Sequence, residues 1–217
     1  SGGVNAAGHL SIVGSDVAVN AAQTTTNSRN ITINPRTAYT GTGTLSSAGT
    51  LTISGGSSIA PSGAIQAVGN IAFSGSGNFS SSSTITSSGG NVQITTSGAA
   101  TVIPAGNIQS TLGSITVSSA GAYSGAGTLT AGTTVSVTAP GVTVGGAVLA
   151  TGNVTYTSAG LLVQNANVTS LTGSISMAIS GAGATYTKNT TSNLTAAQGV
   201  SITSAASTIN TTGTGVI

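Results

Sequence analysis

Gly49-Thr50-Leu51-Thr52-Ile53-Ser54 places Leu51 and Ile53 on either side of Thr52, straight after a glycine, and it decides the fold because the phrase keeps returning. Apolar residues at i and i+2 with a polar residue between them give a strand with one buried face. The same order reads His9-Leu10-Ser11-Ile12, Asn30-Ile31-Thr32-Ile33, Asn70-Ile71-Ala72-Phe73 and Asn91-Val92-Gln93-Ile94 in the first half. It continues as Ser114-Ile115-Thr116-Val117, Thr134-Val135-Ser136-Val137, Asn153-Val154-Thr155-Tyr156, Ser174-Ile175-Ser176-Met177 and Gly199-Val200-Ser201-Ile202. The first apolar residues stand at 10, 31, 51, 71, 92, 115, 135, 154, 175 and 200, which is a period near twenty residues.

One such unit cannot bury its apolar stripe alone, whereas stacked units share a continuous core. The sequence therefore predicts an all-β parallel β-helix, or β-solenoid, of about ten coils in a single domain over residues 1–217. Leu51 should lie between Ile31 and Ile71, and ten coils at the inter-strand spacing make a rod on the order of 50 Å long. The other sides of each coil fall to weaker apolar pairs: Val17 and Val19, Ile59 and Ile65, Val142 and Val144, Leu161 and Val163. Gly49, Gly69, Gly90, Gly113, Gly132, Gly152 and Gly173 precede the phrases and are read as supplying backbone geometry that other residues resist. Longer steps place extra looped residues near Pro104 and from Tyr186 to Asn193. A second echo, Tyr39-Thr40-Gly41-Thr42-Gly43-Thr44-Leu45 against Tyr123-Ser124-Gly125-Ala126-Gly127-Thr128-Leu129, reads as equivalent turns.

Composition agrees with an all-β rod. The chain is 38% hydrophobic and only 2% charged, with Asp16, Arg29, Arg36 and Lys188 as its ionic residues and His9 as its one imidazole. Three scattered cations make no basic surface, so nucleic acid is not an expected partner. No cysteine is present, which excludes disulfides and thiolate metal sites. No run of residues has the length and apolarity of a membrane span, and the start lacks a signal-peptide pattern, so the numbered chain reads as a mature form or an excised segment.

Phrases such as Gly152-Asn153-Val154-Thr155-Tyr156 and Gly173-Ser174-Ile175-Ser176-Met177 resemble the repeats of filamentous haemagglutinin-like exoproteins of the two-partner secretion class. The resemblance covers nearly the whole chain. It implies a right-handed parallel β-helix, bacterial secretion through an outer-membrane partner, and roles in adhesion, biofilm or contact-dependent competition. The family's secretion domain carries Asn-Pro-Asn-type motifs, whereas Asn34-Pro35 runs into Arg36 here, so the segment reads as shaft.

Chemistry is sparse. A single acid closes hydrolysis by paired carboxylates. His9 and Asp16 are assigned surface or capping roles, and no catalytic residue, metal site or cofactor is expected. The Gly-x-Gly pairs at 41/43, 75/77, 125/127 and 181/183 lack the rest of a dinucleotide fingerprint and are read as turns. Asn-x-Ser/Thr sequons begin at Asn30, Asn78, Asn153, Asn167, Asn189, Asn193 and Asn210, and Asn189 and Asn193 are singled out as glycosylation candidates in a loop.

The expected function is that of a structural or adhesive extracellular surface fibre, secreted or cell-surface. Its expected partners are other copies of itself, neighbouring rods, or host or bacterial surface glycans; Tyr39, Tyr123, Tyr156 and Tyr186 are the aromatic candidates for adhesion, but the equivalent turns of Tyr39 and Tyr123 favour a packing role for those two over a ligand platform. One alternative is a self-assembling filament subunit joined end to end or by strand addition, with Ser1 to Asn5 as an exchanged strand. Another is an ice-binding solenoid. The latter needs an outward Thr pair on successive coils, and the positions flanking the first apolar residue (Asn30/Thr32, Thr50/Thr52, Asn70/Ala72, Asn91/Gln93) break that array.

Overall fold

In the computed structural model, which describes residues 3–205 and 208–211, every strand pairing is parallel and each main phrase stacks on the next. The chain winds as a β-solenoid of ten coils, and each coil crosses three faces. The first face runs from Val4–Ala6 through Gln23–Thr25 to Leu194–Ala196 as a 10-stranded sheet. The second carries the main phrases, from 10–14 to Gly199–Ser204, and the third runs from 16–18 to Thr208–Thr211. Leu10–Ala18 and Ile31–Gly41 each pass from the second face into the third without a break, which joins these two faces into one 18-stranded sheet. Their mutual register slips by one residue between Gly14 and Asp16, where a bulge turns the corner.

Leu51 pairs with Ile31 below and Ile71 above, as the repeat demands. Inward residues of all three faces form one apolar column running the length of the stack, including Ile31, Leu51, Ile71 and Ile115. Parallel sheets need such cover on the inner side, and here neighbouring faces of the same coil provide it for one another. Val17, Val19, Ile59, Ile65, Val142 and Val144 are buried as expected. The pair Leu161 and Val163 is in the wrong register. Leu162 and Gln164 point inward opposite Val142 and Val144, and Leu161 is 48% exposed. A run of three apolar residues has no alternation to fix its phase, so only stacking decides it.

The extra residues also sit elsewhere. Val92–Thr96 pairs with 71–75, but Val102 pairs with Phe79, so the lengthening falls between Thr96 and Val102, at a corner where Gly98 has φ +70°. Pro104 itself ends a buried strand. Likewise Tyr186 and Lys188 are buried in the strand Thr185–Lys188, and the added residues flank it, at 180–184 and 189–193.

None of the glycines before the phrases has a left-handed φ; at Gly49, Gly90, Gly113, Gly132 and Gly173 it is the space around them that requires glycine, whereas a Cβ at Gly69 or Gly152 would approach no closer than 3.1 Å. A Cβ at Gly173 would meet Asn153 Oδ1 at 2.3 Å, and one at Gly49 would meet Asn30 Oδ1 at 2.3 Å. The coil below leaves no room for a side chain at this corner. The other face of the rule lies in buried hydroxyls. Ser87 Oγ donates to Gly69 O at 2.8 Å, Ser110 Oγ to Gly90 O at 2.7 Å, and Ser170 Oγ to Gly152 O at 2.8 Å. Serine at the inner end of the first face thus satisfies the carbonyl of the corner one coil down.

Candidate functional site

At four of the corners before the main strands a side-chain amide bonds to the next coil. Asn30 Oδ1 accepts the Thr50 N–H at 2.9 Å, Asn70 Oδ1 that of Asn91 at 2.8 Å, Asn91 Oδ1 that of Ser114 at 2.8 Å, and Asn153 Oδ1 that of Ser174 at 2.9 Å. His9 occupies the same position in the first coil, and its Nδ1 accepts the Asn30 N–H at 3.1 Å, so Nε2 carries the proton of the neutral ring. His9 is therefore a link in this ladder. Asp16 is exposed on the strand Leu10–Ala18, and among the described residues no group of three His, Cys, Asp or Glu is placed to hold a metal ion.

This ladder changes which side chains form the outward surface. The residue before the first apolar position is taken up by the corner, so the pair that faces out from the second sheet is the residue between the two inward positions and the one after them. In the last five coils these read Thr116/Ser118, Ser136/Thr138, Thr155/Thr157, Ser176/Ala178 and Ser201/Thr203, all exposed or half-exposed. The earlier coils are less regular, with Thr32/Asn34, Thr52/Ser54, Ala72/Ser74 and Gln93/Thr95. Successive pairs lie about 4.8 Å apart across the sheet, and the two members of a pair about 6.7 Å apart along the strand. A shallow groove of about 250 Å³ lined by Thr50, Thr52, Asn70, Ala72 and Gln93 crosses the less regular part.

The tyrosines do not reach this surface. Tyr39, Tyr123 and Tyr186 all occupy the first inward position of the third face and Tyr156 an inward position of the second, each buried. The echo at Tyr39 and Tyr123 is thus a pair of equivalent strands leading into a corner. Burial pushes the Tyr39 and Tyr186 phenols up to about 12, and raises Tyr123 and Tyr156 well above their usual value; the Tyr156 hydroxyl has no hydrogen-bond partner. Phe73 and Phe79 pack inside as well, with ring centroids 4.9 Å apart.

The corner at 189–193 departs from the repeat by two added residues. Inside it, Gln164 is fully buried. Its Nε2 donates to Ala166 O at 3.1 Å and Asn193 O at 3.2 Å, while its Oε1 accepts from Tyr186 Oη at 2.5 Å. Ser192 Oγ donates to Gln164 O and Asn189 O. Lys188 is buried on the same strand as Tyr186. Outside it, Asn189 and Asn193 are both exposed. Nothing in the repeat announced this buried polar cluster, because Gln164 and Lys188 take positions filled by Val144, Pro104 or Pro61 in other coils. No family model, no curated protein and no solved structure matches the chain.

Proposed function

We propose that this chain is a length of shaft from a secreted surface fibre of the haemagglutinin-like kind, with a mechanical role in holding a rod together and an adhesive role through its outward faces. The observation that carries the reading is the surface left by the stack: no charged residue occurs between Arg36 and Lys188, while the backbone is paired coil to coil throughout. Such a rod needs no counterions and packs beside another rod without repulsion. The resemblance of the Gly-Asn-apolar-x-apolar phrases to haemagglutinin-like repeats supports a surface location.

Antibody raised against residues 1–217 should label intact cells that make the protein, and a signal that requires permeabilised cells overturns the location. Small-angle scattering of the isolated chain should give a monomeric rod about 50 Å long. Growth of the scattering with concentration would instead favour the self-assembling filament.

A second reading is favoured by the Ser/Thr pairs in four of the last five coils, interrupted at Ala178, whose two rows on an uncharged sheet offer hydroxyls to an ordered water lattice. Thermal hysteresis or inhibition of ice recrystallisation by the isolated chain, lost on Thr155→Lys with Thr157→Lys, supports it. No effect on ice at any concentration removes it.

A further inference from the structure

We infer that, among the sequons from Asn30 to Asn193, Asn189-Thr190-Thr191 is the one that accepts a saccharide in the folded chain. The seven sequons differ in what the fold does with their peptide. In those of Asn30, Asn78, Asn153, Asn167 and Asn193, the middle residue is Ile31, Phe79, Val154, Val168 or Leu194, each a buried core residue at an inward strand position. The peptides of Asn30, Asn78, Asn153 and Asn167 run into parallel ladders with coils above and below, and that of Asn193 into the ladder with the coil below, at Val168.

The amides of four of these are also occupied. Asn30 and Asn153 Oδ1 accept N–H groups of the next coil, Asn78 Oδ1 accepts from Thr101 N at 2.9 Å, and Asn167 Oδ1 from Asn193 N at 2.9 Å. Asn193 gives its carbonyl to Gln164 Nε2 and to Val168 N. The side chain of Asn210 lies outside the described residues.

Asn189-Thr190-Thr191 is arranged differently. All three residues are exposed, none belongs to a strand, and they form the tip of a turn closed by Ser192 N donating to Asn189 O at 3.2 Å. Asn189 Oδ1 accepts only from the neighbouring Thr190 Oγ1, at 3.2 Å. A transferase must wrap the sequon backbone and bring the hydroxyl two residues on toward the amide, which a sheet-bound peptide cannot allow without opening its coil. Here the Asn189 N–H alone of the sequon is bonded to the coil below, to Gln164 O at 2.8 Å, and Thr190 and Thr191 stand outside the stack, with Ser192 anchoring the turn from inside.

The transfer is redox-neutral. Asn189 Nδ2 bonds to the anomeric carbon of a nucleoside-diphosphate hexose, the bond from that carbon to the phosphate oxygen breaks, and the nucleoside diphosphate leaves with the electron pair. The amide proton passes to a base of the transferase. The inference does not depend on the fibre reading, since it concerns reachability of the peptide in the folded chain.

The test treats the folded full chain with UDP-glucose and a soluble asparagine N-glucosyltransferase, then maps glycopeptides by mass spectrometry. Among the six sequons from Asn30 to Asn193, glucose should appear at Asn189 alone, and a denatured sample should add the sheet-bound sequons. Asn189→Gln and Thr191→Ala should abolish labelling of the folded chain at this sequon, and Thr191→Ser should restore it. Circular dichroism of each variant, expected to match the parent, separates loss of the acceptor from loss of the fold. Labelling of Asn30, Asn153 or Asn167 in the folded chain as fast as Asn189, or an unlabelled Asn189, overturns the inference.

Discussion

Leu161 and Leu162 are adjacent and chemically identical, yet only one is part of the core. Leu162 is fully buried between Val142 and Tyr186, and Leu161 is exposed. Leu162→Ala should cost about 2–5 kcal/mol by removing core contacts and leaving a cavity. Leu161→Ala should stay within about 0.5 kcal/mol of the parent. Denaturant melts of the two variants check this, and equal losses would contradict the register. Glycine makes a parallel case. Gly173→Ala would drive a methyl to 2.3 Å from Asn153 Oδ1, whereas a Cβ at Gly8 meets nothing within 4 Å. The first should lower the melting temperature clearly, at a cost of about 1–3 kcal/mol typical of overpacking, and the second should leave it unchanged. The position of these glycines was legible in the sequence, but the cause was not. A chain read in one dimension shows that glycine precedes a strand; it does not show that an asparagine one coil below fills the space.

At the scale of strands and corners, the second face was legible because a large apolar residue recurs at i and i+2 in every coil. The third face was harder. Its strands Tyr123–Gly125, Val142–Val144 and Leu162–Gln164 have three residues each, and their second inward position is Gly, Val or Gln. No single residue type marks it, so the Leu161/Val163 slip and the misplaced loop near Pro104 arose on this face or at its corner. The outward array escaped for a related reason: Asn30, Asn70, Asn91 and Asn153 look like exposed neighbours of the strand until their amides are seen to serve the next coil. Three of the four tyrosines belong to the third face, and their burial makes it sensitive to alkali. The folded pKa of Tyr39 and Tyr186 is raised to about 12 from 10.0, so the unfolded chain loses these protons first. Their contribution is complete below pH 10 and falls as pH rises from about 10 through 12. Tyr39→Phe should flatten that fall, measured as melting temperature against pH. An unchanged slope would show that Tyr39 is reached by solvent when it ionises.

Across the whole molecule each coil touches only its neighbours, so stability is a sum of coil and interface terms along one axis. Two properties of this stack follow from its residues. Because Arg36 and Lys188 bound a stretch without charge, salt has little to screen over most of the rod, and the cooperative unit is set by packing. A break in the middle should therefore propagate differently from a break at an end. Ile94 is fully buried, paired with Phe73 below and Val117 above. An Ile94→Asp carboxylate has no cation near it and costs several kcal/mol unless the coil opens. Leu10 lies in the first main strand and has a main-strand partner on one side only, Ile31. In the isolated chain, Leu10→Asp should release amide protection over the first coil and leave the rest intact by hydrogen exchange. Ile94→Asp should release coils on both sides of residue 94, with a larger loss of β-sheet signal in circular dichroism. Equal, global unfolding by both variants would mean that the ten coils melt as one unit, and that coupling along the axis is stronger than a nearest-neighbour stack allows.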